Sequence, residues 1–457
     1  MTDERKSENE SKNFWLDKIE AVMVWLSVFL LPWQLRHTVM FATINGGYFE
    51  YGSWHIYATD LVIIALLVCW VLRPDKKFFA GPRWLSAPLL TLLVWMTLSV
   101  SWAVDKPLAM ITAGHWWLAY LWYLYLLNRI QAISQLIRPL MWGVGLQALW
   151  GVVQYFLNQS LGFPWLGESI LNAQVSGIPV VMANGVRQLR AHGMLPHANM
   201  LGGLLAVATP VLIYYYTTLE RSKLSRQLVQ IIMLVVVGVG LSFARGAWLV
   251  LGVGLLVVII LGWSAKREEH NSADKRWRNR RQFNIAGGAL LLFGLVLATQ
   301  YQFVINRFDL SDRLEQRSVE ERITGVTNWE KIAGQYMVRG AGIGGYTVAL
   351  QKLDSTQPVW WYQPVHNVYL LMIGELGVVG VAIWAWLIAV LVWVQVKWLR
   401  FKENWLLVLP IDAWLALGLV DHWLVSLQQG RLLLFLALVL IILVDRVSLI
   451  KPESKLY

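Results

Sequence analysis

The sequence carries little charge and almost no cysteine. Only 15% of its 457 residues are Asp, Glu, Lys or Arg, whereas soluble domains carry about 25%. The single cysteine, Cys69, excludes an internal disulfide and a cysteine-based metal cluster. No internal repeat occurs at a fixed period. Together these absences exclude an ordinary soluble enzyme, a disulfide scaffold and a disordered chain.

Apolar and indole side chains dominate instead. Hydrophobic residues make up 57% of the chain, the mean hydropathy is +0.51, and there are 27 tryptophans. Indole rings favour the boundary between membrane and water, so many tryptophans indicate many crossings. The composition therefore predicts an all-α, polytopic helical bundle in a membrane.

The lengths of the apolar runs predict about twelve transmembrane helices, because each crossing needs about 20 apolar residues. They start near residues 18, 56, 85, 108, 135, 196, 227, 247, 283, 366, 405 and 430. Residues 228–264 contain one charge, Arg245, and would form a helix of about 55 Å, too long for one crossing. They predict two spans joined by a turn near 242–246. In 366–396, closely spaced glycines predict a short helix leading into one span.

The basic residues sort to one side of this arrangement. With a cytoplasmic N-terminus, the inside segments hold 26 Lys and Arg and the outside segments 13, of which 7 lie in one long loop. Long loops contribute little to orientation, so the positive-inside rule predicts that both termini are cytoplasmic. The same sorting explains the net charge of +11 without a nucleic-acid partner. The basic cluster over 275–281 predicts an anchor near anionic membrane lipid.

The predicted organisation has five parts. They are a polar cytoplasmic tail over 1–17, transmembrane helices 1–9 over 18–302 with an outer loop at about 157–195, a large periplasmic or extracytoplasmic loop over 303–365, transmembrane helices 10–12 over 366–448, and a cytoplasmic tail over 449–457. The large loop is predicted to be partly helical. Ser318 and Glu321 fit a capping box there, and an apolar face follows at helical spacing, which favours an amphipathic helix on the outer leaflet.

Several unusual polar residues lie at the outer boundary. A charge within or beside hydrocarbon is costly and is by default a functional hypothesis. Arg245 lies between two very apolar helices, and either it marks the turn by extending to the interface or it binds an anion. Arg187, Arg190 and Arg322 face the same side, and four converging arginines would suit a diphosphate. The neighbouring candidates on this side are His197, Asn199, His366, Asn367 and Glu375.

His366 opens the tenth predicted span and has two interpretations. It is either a histidine whose hydrogen bonds are satisfied at a helix start or a general base, since imidazole exchanges protons near neutral pH.

Gly340, Gly342 and Gly345 match a GxGxxG pattern literally, but no βαβ pattern surrounds them, so a dinucleotide fold is rejected. A tight turn that brings the backbone of Gly342 close to a ligand is predicted instead.

Metal binding is not predicted. Asp309, Asp312 and Glu315 follow one another at helical spacing, but arginines in the same run favour a solvated, salt-bridged face.

At these residues the sequence resembles the bacterial O-antigen ligase and polymerase family of surface-polysaccharide glycosyltransferases. The matching segments are 190–199 (RAHGMLPHAN), 242–248 (SFARGAW), Arg322 with Trp329, 339–344 (RGAGIG), and 364–370 (PVHNVYL) with 374–377 (GELG). Their order, spacing and common side carry the resemblance, which covers about residues 185–380.

The resemblance implies a metal-independent, inverting transfer on the outer face of the inner membrane, without a cofactor. The donor would be a glycan on undecaprenyl diphosphate, and the acceptor a hydroxyl of a glycan or glycolipid. Arg245 and Arg322 would neutralise the diphosphate and His366 would take the proton of the acceptor. Arg187, Arg190, His197, Asn199, Gly342, Asn367 and Glu375 would help to bind the substrates.

Two alternatives remain open at this point. A surface-polysaccharide polymerase would use the same donor with a growing glycan as acceptor. A membrane transporter would use Asp60, Asp412, Asp421 and His422, which lie in or beside predicted spans, as an ion pathway. The absence of repeat-related halves and the crowding of polar residues at one face favour the transferase.

Overall fold

The chain folds as a helical bundle, and the computed structural model describes residues 2–73, 78–266, 273–401 and 405–450. Helices make up 71% of the chain, in agreement with the predicted fold class. The helices are α1 (Thr2–Phe29), α2 (Ala58–Val71), α3 (Arg83–Ser99), α4 (Lys106–Arg129), α5 (Ser134–Leu157), α6 (Ala198–Thr218), α7 (Lys223–Leu241), α8 (Arg245–Lys266), α9 (Ala273–Thr299), α10 (Tyr301–Asn306), α11 (Arg313–Tyr336), α12 (Tyr346–Leu353), α13 (Val368–Phe401), α14 (Leu409–Gly418), α15 (Trp423–Ser426) and α16 (Gln428–Ile450). Four short 3-10 helices cover Glu50–Gly52, Pro164–Leu166, Val359–Trp361 and Trp405–Leu407.

Six of the described helices are long and apolar enough to cross a membrane. They are α5 to α9 and α13, and α2, α14 and α16 contain shorter apolar stretches. Each of the twelve predicted spans falls on a described helix, but the number of crossings and their orientation stay predictions. The predicted cytoplasmic tail over 1–17 is part of α1 from Thr2 onward, whereas 451–457 of the second tail lie outside the described residues.

Six short strands, which the sequence analysis did not predict, lie in the connections. β1 (Arg36–Met40) pairs with β4 (Trp54–Tyr57), β2 (Thr43–Ile44) with β3 (Gly47–Tyr48), and β5 (Val180–Ala183) with β6 (Val186–Leu189), all antiparallel. Two of these hairpins turn on Asn-Gly, with positive φ at both residues. Asn-Gly is the preferred sequence of such turns, so this signal was present and was missed.

Helix α6 occupies the centre of the bundle. In its apolar window 94% of the residues are buried, against 33% for α8 and 28% for α9. Gly202 packs against the turn that joins α7 to α8: a Cβ there would lie 2.4 Å from the Ser242 hydroxyl. Small residues let helices approach closely inside a membrane. The start of α6 is thereby held beside that turn.

Helix α13 breaks at Gly377, where φ is 67° and ψ is −172°. The break confirms the predicted short helix that leads into a longer one. It frees backbone carbonyls, and such groups need new partners when they are buried. The N–H groups of Ala341 and Gly342 donate to the carbonyls of Gly374 and Glu375 at 2.8 and 2.9 Å.

The glycine-rich segment therefore packs against the break in α13. Gly340 has a φ of +74°, and a Cβ there would lie 2.1 Å from the carbonyl oxygen of Glu375. Gly342 has a φ of +91° and lies against Ala103. The close backbone approach at these glycines is therefore present, to α13 at Gly340 and to Ala103 at Gly342, and a ligand contact of Gly342 stays a prediction.

The helix in the large loop begins earlier than predicted. Asp312 is the N-cap of α11, and its carboxylate accepts from the N–H groups of Leu314 and Glu315 at 2.8 and 3.4 Å. The capping box at Ser318 was therefore the wrong start, because an aspartate six residues earlier satisfies the first N–H groups. Ile323 and Val326 are exposed and Ile332 is buried, so α11 is partly docked on the bundle.

Replacing Gly340 with alanine should destabilise the protein by at least about 2 kcal/mol, because the new Cβ meets α13 at a backbone conformation that alanine rarely adopts. Thermal unfolding of the detergent-solubilised protein measures this. Gly334→Ala is the matched control, since Gly334 lies on α11 with nothing within 4 Å of its Cβ position. Equal melting temperatures for the two variants would contradict this packing.

Candidate functional site

A large open cavity of about 1480 Å³ lies at one end of the bundle. It is formed where α6, α8 and α13 begin and where α14 ends, together with the first hairpin and the large loop. Eight arginines line it: Arg36, Arg187, Arg190, Arg245, Arg307, Arg313, Arg317 and Arg322. Its lining carboxylates are Glu50, Glu320, Glu321 and Asp421. The excess of positive charge favours an anionic ligand.

The cavity brings together seven of the ten residues that the sequence analysis selected. They are Arg187, Arg190, His197, Asn199, Arg245, Arg322 and His366. These residues span 180 positions of sequence, so their convergence is a property of the fold.

The turn between α7 and α8 is the anchor of the arginine cluster. Arg190 is buried, and its Nε donates to the Ser242 carbonyl at 2.7 Å while its other nitrogen donates to Asn199 Oδ1 at 2.6 Å. Burial, and then the charge of Arg307, lowers the pKa of Arg190. Arg307 donates to the carbonyl of Phe243 at 3.2 Å. Two arginines from separate segments thus bind consecutive carbonyls of one turn.

Phe243 within this turn has a φ of 49°, a region that bulky residues rarely adopt. The residue is fully buried, and its ring packs against Tyr155, Trp248 and Phe303. Backbone strain of this kind costs roughly 1–3 kcal/mol and persists where the surroundings fix it. Such positions cluster at functional sites, which agrees with the arginines gathered here.

Glu315 provides the counter-charge of the cluster. Its carboxylate forms an ion pair with Arg245 at 3.1 Å and a second one with Arg307. Arg245 also donates to the backbone carbonyl of Arg307 at 2.7 Å. Glu315 is only 3% exposed. The interpretation of this run as a solvated face was therefore wrong for Glu315, although its salt bridges were predicted.

Arg322 differs from the other arginines of the cluster. It is solvent-accessible at the cavity and, within the described residues, makes no hydrogen bond or ion pair. The guanidinium is a fork of donors that fits phosphate oxygens, and here its donors are available to a ligand. Arg190 and Arg322 thus lie in the same cavity in two different states, one fixed by the protein and one open.

His366 is partly buried and faces His422, with their ring centroids 5.3 Å apart. Neither ring nitrogen of His366 forms a hydrogen bond within the described part of the chain. His422 is buried, which lowers its pKa to about 4, and its Nδ1 lies 2.8 Å from the Ser426 hydroxyl. His197 is also a less favourable base, because burial and then Arg190 lower its pKa. His366 is thus the lining histidine whose two ring nitrogens, within the described residues, are both without a hydrogen-bond partner.

Three selected residues lie outside the cavity lining. Asn367 caps α13, with its Oδ1 accepting from Tyr369 N and its Nδ2 donating to the Leu419 carbonyl. Glu375 accepts from the backbone N–H of Gly344 at 2.9 Å and faces a smaller cavity beside Arg431. Gly342 packs against Ala103. All three support the elements that carry His366 rather than lining the cavity.

Several lining residues were not selected as site residues from the sequence. One of them is Arg36, which forms an ion pair with Glu50 at 2.5 Å. Asp421 and His422 also line the cavity, although the sequence had suggested them only as part of an ion pathway. A signal for Arg36 existed, since it is the single Lys or Arg of the first predicted outer segment. Of the other transport candidates, Asp60 pairs with His115 at 3.2 Å, and neither Asp60 nor Asp412 lines the large cavity.

Arg190 is fixed by protein contacts and Arg322 is open, so we expect the protein to respond differently when each side chain is truncated. Arg190→Ala should lower the free energy of unfolding by about 2–3 kcal/mol, because it leaves a buried carbonyl and Asn199 without their partner. Arg322→Ala should leave the melting temperature near that of the wild type. Thermal unfolding in detergent compares them, and a large loss for Arg322→Ala would show that this residue is structural.

Comparison with known proteins finds a family match for one segment that contributes to this site. Residues 230–385 match the family model described as O-antigen ligase, and this range includes Arg245, Glu315, Arg322 and His366. No curated protein matches the chain. The family match and the apolar helices together indicate a multi-pass membrane protein. Over this segment the chain is O-antigen ligase-like, as its motifs predicted.

Proposed function

We propose that the chain is a glycosyltransferase of the O-antigen ligase type. It moves a glycan from undecaprenyl diphosphate to a hydroxyl group of a glycan or glycolipid, at the outer face of the inner membrane. The observation that carries the proposal is the arginine cluster that shares one cavity with the open histidine His366. Arg245, Arg322 and His366 lie within the segment that matches the O-antigen ligase family.

The arginines suit the leaving group of such a reaction. A lipid diphosphate leaves with the electron pair of the broken C1–O bond, and preorganised positive charge stabilises that developing charge. Arg322 has free donors for this purpose, and Arg245 presents its guanidinium at the same cavity. Because arginine charge performs the neutralisation, the proposed reaction requires no metal ion.

His366 suits the acceptor side of the reaction. The acceptor hydroxyl transfers its proton to an imidazole nitrogen while its oxygen forms the new bond to C1 of the donor sugar. Attack from the face opposite the diphosphate inverts the configuration at C1. A positioned general base typically contributes 10²–10⁴-fold, which sets the scale of the expected loss.

The apolar edge of the cavity suits the lipid part of the donor. Leu249 and Val420 line the cavity and are 67% and 41% exposed, and Val420 packs against Gly246, which follows Arg245 in sequence. A polyprenyl tail would cover such side chains while its diphosphate lies at the arginines.

Purified protein supplied with a glycan on undecaprenyl diphosphate and a glycolipid acceptor tests the proposal directly. His366→Ala should lower kcat by roughly 10²–10⁴-fold, and Arg322→Ala by roughly 10²–10³-fold. His37→Ala and Arg221→Ala are matched controls, because both residues are exposed and neither lines the cavity. Wild-type rates in both site variants would refute the roles of these residues.

The proposed chemistry also predicts insensitivity to chelation. Transfer measured after dialysis against EDTA should proceed at the untreated rate, because the leaving group is neutralised by arginine. A loss that Mg²⁺ or Mn²⁺ restores would contradict the metal-independent step.

A polysaccharide polymerase is the second candidate in the same chemistry, since it uses the same donor and cavity. Acceptor choice separates the two: a ligase transfers to a glycolipid, whereas a polymerase extends a glycan that is itself linked to the polyprenyl diphosphate.

A further inference from the structure

Glu315 occupies an unusual place behind the arginine cluster. Its neighbours in sequence, Leu314 and Gln316, line the large cavity, but Glu315 does not. Its carboxylate contacts Arg245 and Arg307 from the buried side. The N-cap Asp312 fixes the backbone N–H of Glu315 and so holds this carboxylate in place.

The arginines need this carboxylate in the absence of a ligand. Arg190, Arg245 and Arg307 are close enough for their charges to repel one another, and each like charge in a partly desolvated site is costly. One buried carboxylate offsets part of that repulsion. Within the described residues, its Oε2 has the Arg245 ion pair but no hydrogen bond of good geometry.

The same carboxylate opposes an anionic ligand. A diphosphate bound at the arginines would lie near the negative charge of Glu315 with little water between them. At the effective dielectric constant near a protein surface, a unit charge about 6 Å away changes an anion's affinity by roughly tenfold or more. A site with too high an affinity for its leaving group would release product slowly.

We propose that Glu315 is a positioning residue that limits how tightly the cavity holds a diphosphate. It orients Arg245 and Arg307 toward the ligand, and its charge weakens the bound state enough for the lipid diphosphate product to leave. This inference rests on the proposed function, since it takes a lipid diphosphate as the leaving group.

The direction in which diphosphate affinity changes when Glu315 is removed distinguishes this role from that of a purely structural ion pair. If Glu315 only held the arginines in place, its removal would loosen them and weaken diphosphate binding. If the charge of Glu315 weakens diphosphate binding, Glu315→Gln should tighten it, because this variant keeps the size of the side chain and removes the charge. The conservative variant Glu315→Asp keeps the charge and should stay close to the wild type.

Isothermal titration of detergent-solubilised full-length protein with inorganic pyrophosphate, at fixed ionic strength, measures the sign. We expect Kd to fall by about tenfold or more in Glu315→Gln, and kcat and KM for the lipid-linked donor to fall together. Glu330→Gln is the control, because Glu330 lies exposed on the same helix and does not line the cavity, so this variant removes the same charge outside the site. Its Kd should equal that of the wild type.

A second comparison covers the case in which Glu315→Gln does not fold. Arg307→Gln and the double variant Arg307→Gln with Glu315→Gln differ only by the charge of Glu315, and neither contains the repulsion between Arg245 and Arg307 that could unfold Glu315→Gln. Kd should again fall in the double variant. An unchanged or higher Kd on removal of Glu315 overturns this inference and leaves the proposed function intact, whereas no pyrophosphate binding by any variant contradicts both.

Discussion

The turn between α7 and α8 is the constraint on which the site depends. Its carbonyls at Ser242 and Phe243 accept hydrogen bonds from Arg190 and Arg307, which arrive from different loops. The central helix α6 holds the turn from one side, because Gly202 leaves room for the Ser242 side chain. The positive φ of Phe243 shows that the bundle imposes this geometry. The turn thereby holds together guanidinium groups whose like charges would otherwise drive them apart.

The second support of the site is the break in α13. A continuous helix would carry the residues before Val368 along one straight axis. The break at Gly377 lets the first two turns follow their own direction, and the glycine-rich segment satisfies the carbonyls that the break exposes. Asn367 caps this first part, and His366 precedes it at the cavity. Asn367 and the glycine-rich segment thus support the part of the chain that places His366 at the cavity.

Much of the fold could be predicted because apolar run length and turn chemistry are local properties. The turn at 242–246 and the break near Gly377 followed from a helix too long for one crossing and from glycine spacing. The central position of α6 could not be predicted, since its mean hydropathy of 1.5 lies within the range of 1.3–2.4 found for the helices long enough to cross a membrane, and only tertiary packing distinguishes it. For the site, four of the eight lining arginines were selected because they lie at the predicted outer boundary, where a charge is costly. The burial of Glu315 was missed because the sequence pattern of a carboxylate among arginines is the same whether that carboxylate is solvated or buried.

The most direct test of the account is an experimental structure of the protein with undecaprenyl diphosphate bound. The account predicts that the diphosphate oxygens lie within hydrogen-bond distance, about 3 Å, of the guanidinium groups of Arg322 and Arg245. His366 should face the open side of the bound diphosphate, with the lipid tail running past Leu249. A diphosphate bound away from these arginines, or a tail that enters on the opposite end of the bundle, would contradict the central claim.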